Sequence, residues 1–244
     1  MATSKFIKHS FEELCQNFRV LMEAHIRANR FGLLKVDRAE AIGNIETGLS
    51  GVLNSFHNLY DAIQKQMAPA PINWYESAPL ALMLVLRNAR HHNHANRIRT
   101  LYSHYLQEAS EIGTMESYIL IDFPCPEDGA NTFDLHVSWG DLKHLFDLPK
   151  KDTQIKDMTR SIISDYLSTS KFREYAELYK LPESKLCFNI IPLFVNAAAT
   201  ITPFIKDHCE PDSSEARFFA EHFCSLTKAD TQNHEVDCGP VAFI

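Results

Sequence analysis

The chain is short of glycine, has no closely paired cysteines and contains no long unbroken apolar run, and each shortage removes a class of protein. Its eight glycines in 244 residues form neither a phosphate loop nor a GxGxxG turn. Phosphate-loop and dinucleotide chemistry therefore lack their usual marks, and the absence of GxSxG and HExxH does the same for α/β-hydrolases and zincins. Six cysteines, at 15, 125, 187, 209, 224 and 238, include no CxxC pair, and in a chain of this size they read as reduced thiols. The N-terminus carries no apolar core of a secretory signal. The most apolar stretch, Ile190 to Ile205, is interrupted by Pro192, Asn196 and Pro203, which suits a buried helix better than a membrane span. These features give the expectation of a cytoplasmic protein without a membrane partner.

With 45% hydrophobic and 23% charged residues, the chain can bury an ordinary core. Apolar residues recur at three- and four-residue intervals over long windows, so the expected fold is mainly α. Ser10 is placed to cap a helix running to about Arg30, with Phe11, Leu14, Phe18, Leu21, Met22 and Ile26 near one face. A second helix is expected from about Asp37 to Met67, where Gly43, Gly48 and Gly51 point to close helix contact. A third, opened by Ser77-Ala78-Pro79, is expected to reach about Ile112. Beyond Gly113 two β-prone runs, Tyr118 to Phe123 and Thr132 to Ser138, suggest a small β-hairpin, and the change of texture marks a boundary near residue 115. Further helices are expected over about 141–148, 152–179, 183–206 and 212–228, with a loose or irregularly docked tail from Ala229.

What is present in unusual strength is local basicity. From Ser77 to Gln107 there are four arginines and four histidines and no Asp or Glu, although the whole chain has a formal charge of −7. An acidic protein does not coat nucleic acid generally, so any RNA contact is confined to a patch. The cluster Arg87-Asn88-Ala89-Arg90-His91-His92-Asn93-His94 joins a permanent cation to imidazoles. Metal-free RNA cleavage needs a base for the 2′-hydroxyl, an acid for the leaving 5′-oxygen and a cation for the charge gathering on phosphorus. Histidine serves the first two because it titrates near neutrality, and arginine serves the third through its planar fork. On an ideal helix Arg87, His91 and His94 share a stripe, with Asn88 and His92 on its neighbour.

The run Arg87-Asn88-x-x-x-His92 resembles the Arg-x(4–6)-His motif of HEPN domains, and His94 satisfies the longer spacing. The resemblance implies an antiparallel helical bundle over residues 1–114, dimerising so that two Arg/His pairs form a metal-independent endoribonuclease site. Residues 115–244 would then form a C-terminal helical region with the β-hairpin. It further implies that Arg87 stabilises the transition state, His92 acts as acid/base and Asn88 orients them, with no cofactor or metal. Arg90, His91 and His94 would contact RNA. Family spacing favours His92 as Arg87's partner, whereas the helical stripe favours His91 or His94. Proteins of this kind serve as toxins or antiphage effectors, so the expected partners are RNA, a second copy of the chain and an inhibitor protein.

Other readings stand beside this one. The same helix could dock nucleic acid or an acidic protein without cleaving it, hold nucleotide phosphates as a sensor, or present a solvated face whose arginine stems cover apolar surface. His208-Cys209, His222-x-Cys224 and His234-x3-Cys238 offer zinc-compatible ligands, but not in a standard paired spacing. Trp74, Tyr75 and Trp139 offer flat rings for stacking, although core or interface packing is the stronger reading, given how much surface each ring buries.

Overall fold

The computed structural model describes residues 5–67, 70, 72–91, 98–103, 116–126, 133–153 and 155–241. These residues are mainly helical, with one small mixed sheet. Helix α1, Lys5–Asn29, starts before the expected Ser10 cap. Its apolar pattern extends back to Ile7, and Ser10 is buried inside the helix. Gly32, at φ 73°, allows the sharp turn after α1. After the short α2, Leu33–Val36, Asp37 caps α3, Arg38–Gln66, by accepting a 2.9 Å bond from the Glu40 amide.

Helices α1 and α3 run antiparallel. Early residues of α1 meet late residues of α3: the Ile7 amide donates to Gln66 Oε1 at 3.3 Å, and Asn17 Nδ2 donates to Ser55 Oγ at 2.7 Å. Farther along, Gly48 lies against Leu21, where a Cβ at Gly48 would come within 2.9 Å of the Leu21 Cα. Gly51 faces the Asn17 amide in the same way. Gly43 has open space around it, so the close-contact expectation holds for two of the three glycines.

After a 3-10 turn at Trp74–Glu76, helix α4 spans Ala78–His91. Every residue from Leu80 to Leu86 is buried, so this segment is covered on all sides and forms the centre of the core. It does not continue to Ile112 as expected, because residues 98–100 are not helical. Thr100 forms an antiparallel bridge with Val137, and the Ser138 amide donates to the Arg99 carbonyl at 2.9 Å. Those bonds draw the chain onto the sheet.

The expected hairpin is also corrected. Strands β1, Ser117–Asp122, and β2, His136–Ser138, do not pair. Between them lies β3, Leu186–Asn189, parallel to β1 and antiparallel to β2, while β4, Glu235–Pro240, runs antiparallel along β1's other edge. Thus a stretch read as helix supplies β3, and the tail supplies a regular strand. Ile119, Ile121 and Phe188 belong to the main core, whereas Tyr118, Leu120 and Cys187 belong to a smaller cluster, consistent with the period-two alternation of a strand.

The remaining helices are α5, Trp139–Asp147; α6, Lys150–Thr153; α7, Asp157–Tyr166; α8, Thr169–Tyr179; α9, Ile191–His208; and α10, Ser214–Ser225. The expected single helix over 152–179 breaks at Ser168, whose φ of 47° lies in the left-handed region. Helix α10 is capped by Ser213, whose hydroxyl accepts a hydrogen bond from the Ala216 amide. Helix α4 touches α3, α7 and α9, so the buried core runs continuously across residue 115.

The two glycines make a direct comparison. Gly48→Ala should destabilise the fold by about 1–3 kcal/mol, because the added methyl meets backbone across a helix contact. Gly43→Ala should stabilise it by up to about 1 kcal/mol through helix propensity. Urea denaturation midpoints of the two variants check both signs.

Candidate functional site

Arginines from the basic window have different surroundings. Arg90, near the end of α4, sends Nη2 to Glu46 Oε2 at 2.5 Å and Nη1 to the Ile98 carbonyl at 3.0 Å. Its side chain is only 15% exposed, so the ion pair is partly desolvated. Glu46 Oε1 also accepts hydrogen bonds from the hydroxyls of Thr100, at 2.5 Å, and Ser103, at 2.7 Å. One carboxylate of α3 thus binds both the end of α4 and the segment that follows. Arg99 is held by Asp141 in a two-pronged pair, Nε to Oδ2 and Nη2 to Oδ1, each 3.0 Å, while its amide donates to Oδ2 at 2.9 Å.

Arg87 differs. Its Nε donates to Asn54 Oδ1 at 3.3 Å and its Nη1 to Asn88 Oδ1 at 3.2 Å. Both acceptors are neutral amides, and among the described residues no carboxylate pairs with Arg87 and no group bonds its Nη2. The guanidinium is therefore oriented from two sides, and its Nη2 carries two N–H donors that no described residue engages. Asn88 sits beside it on α4, and Asn54 projects from α3.

Of the other residues selected from the sequence, His91 ends α4, and its side chain lies outside the described residues. His92, His94 and Arg97 also lie outside them. Trp74 is fully buried; Trp139 is buried too, donating from its indole to Glu183 Oε2 at 3.1 Å. Among the described residues, no three His, Cys, Asp or Glu side chains are grouped to hold a metal ion. No helix among them is long and apolar enough to cross a membrane.

A second cluster had no signature in the sequence, because its members come from distant segments. His25 and Asn29 of α1, Tyr102, Phe133, Asp134 and His136 line one cavity of about 390 Å³. The Tyr102 hydroxyl lies 3.3 Å from His25 Nε2 and 3.2 Å from Asn29 Nδ2. The His25 ring stacks on Phe133 with centroids 4.4 Å apart. Burial lowers the pKa of both His25 and His136, against the attraction of the Asp134 carboxylate for their charged forms; Arg30 adds to the lowering at His25. Strand alternation could have put His136 and Leu120 on outward faces, but nothing in the sequence brings α1 to them.

Comparison with protein-family models, with curated proteins and with solved structures returned no match.

Two measurements follow from this chemistry. Glu46→Ala should cost about 3 kcal/mol in urea denaturation, at the lower edge of the effect of breaking a buried pair, since it strands the Arg90 charge. Arg87→Ala should change stability by less than about 1 kcal/mol. Separately, the lowered histidines stay neutral in the folded chain at pH values where the unfolded chain is already protonated. Their contribution is intact above the unperturbed value near 6.5 and is lost as pH falls through it toward the folded value. The melting temperature should therefore drop between pH 7.5 and 5.5, and less steeply in His136→Gln.

Proposed function

We propose that the chain is a metal-independent endoribonuclease, of the kind used as a toxin or in antiphage defence, in which Arg87 stabilises the charge developing on a scissile phosphate. The observation that carries this reading is the state of Arg87: an arginine fixed by Asn54 and Asn88 yet paired with no carboxylate among the described residues. Arg90 and Arg99 have carboxylate partners. A general nucleic-acid surface would need those cations free, so the distribution favours a single point of phosphate contact over a non-catalytic binding face.

The reaction is an in-line displacement within the RNA. A histidine base takes the proton of the ribose 2′-hydroxyl, the 2′-oxygen attacks phosphorus, and the bond to the leaving 5′-oxygen breaks as a histidine acid protonates it. The products are a 2′,3′-cyclic phosphate and a 5′-hydroxyl. Arg87 donates to the non-bridging oxygens as their charge rises, and Asn88 fixes its orientation. His92 is the assigned acid/base, with His91 and His94 contacting the RNA. In this reading α1, α3 and α4 belong to an antiparallel HEPN-like bundle, and two copies meet about a two-fold axis, so that one subunit's histidine acts as base and its mate's as acid.

The test uses purified protein, structured RNA and a chelator. The wild type should release cyclic-phosphate termini, and Arg87→Ala and His92→Ala should each reduce the rate at least about 100-fold without unfolding. Wild-type cleavage by both variants, or salt-sensitive RNA binding with every strand intact, overturns the assignment.

A further inference from the structure

The cavity on the outer face of the sheet is built from groups that the phosphate chemistry does not use. Leu101, Leu120 and Val241 give it an apolar floor. Around this floor stand polar groups able both to give and to accept hydrogen bonds: His25 and His136, the Asn29 amide and the Tyr102 hydroxyl, with Asp134 as a pure acceptor. The half-buried His136 ring lines the cavity, and among the described residues no hydrogen bond engages its nitrogens. Its ring donor and acceptor are therefore open to an occupant of the cavity.

The size and chemistry narrow that occupant. About 390 Å³ falls within the range of small-molecule sites, roughly 300–1,000 Å³. An anion is a poor match, because the imidazoles are uncharged near neutral pH, Arg30 is the one permanent cation in the lining, and Asp134 opposes it. A wholly apolar molecule would cover the His136 ring and the Asp134 carboxylate without meeting either. A flat nitrogen heterocycle meets both demands: its edge alternates donors and acceptors, and its face suits the Phe133 and Tyr102 rings. We infer that this cavity is a binding site for an uncharged nucleobase, as a free nucleoside or as one unpaired base of an RNA strand, read by His25, Asn29, Tyr102, Asp134 and His136.

The inference is independent of the Arg87 reading, since the two sets share no residue and nucleosides are not cleaved. Calorimetric titration of the full chain at pH 7.5 with adenosine, guanosine, cytidine and uridine tests it, with the matching 5′-monophosphates as a second arm. At least one nucleoside should bind saturably, its monophosphate no more than about threefold more tightly. Asn29→Ala, at the exposed end of α1, and Tyr102→Phe, which keeps the ring, should each weaken binding about tenfold; His136→Gln should do the same. Arg87→Ala should leave it unchanged. Absence of binding by all four nucleosides at millimolar concentration, binding confined to the monophosphates, or affinities untouched by the three cavity variants each overturns the inference.

Discussion

Glu46 is the carboxylate on which three parts of the molecule, α3, α4 and the segment leading to the sheet, converge. Its two oxygens engage an arginine from α4 and two hydroxyls from the segment leading to the sheet. A carboxylate at this depth is tolerated because both oxygens are satisfied, and Arg90 is tolerated because the carboxylate is there. Apolar packing sets α4 against α3 without fixing where the chain goes next. The directional bonds to Thr100 and Ser103 supply that. Thr100 is then in place to bridge Val137, and the chain passes from helix to strand at one defined point.

The same network explains why a basic window can exist in an acidic protein. Its missing acids are supplied by distant parts of the chain: Glu46 from α3 and Asp141 from α5. Among the described residues, what looked like a uniform run of positive charge is divided into two arginines that hold the structure together, Arg90 and Arg99, and Arg87, which is held by amides. Asparagine can steer a guanidinium without neutralising it, whereas aspartate would do both. The Asn54 and Asn88 pair therefore suits an arginine whose charge is needed elsewhere.

Much of the helical part was legible from local chemistry. The Asp37 cap and the apolar rhythm of α3 set its bounds to within a residue or so, and the proline-broken apolar run at 190–205 is indeed a buried helix. Errors arose where long-range pairing decides the local state. Leu186–Asn189 is short and fully buried, and such a run has the same pattern in a strand as in a core helix until its partners are known. Ser168 gives no glycine or proline signal, yet its left-handed backbone splits a helix expected to be continuous. Arg87 and Asn88 were visible because adjacent residues carry the chemistry. Asn54 was not, and neither was the His25 and His136 cavity, because only the folded chain brings those residues together.

The order of the sheet has a consequence for how the protein is made. Strand β1 lies between β3 and β4, so both of its neighbours are encoded far downstream, at Leu186–Asn189 and Glu235–Pro240. During synthesis the antiparallel pair α1 and α3 can close early around contacts that are already present. The two β1 edges must wait in turn, one for Leu186–Asn189 and the other for Glu235–Pro240 to leave the ribosome. Removing Glu235–Pro240 would therefore strip an edge strand from the sheet, exposing β1 as a sticky edge on an otherwise finished body.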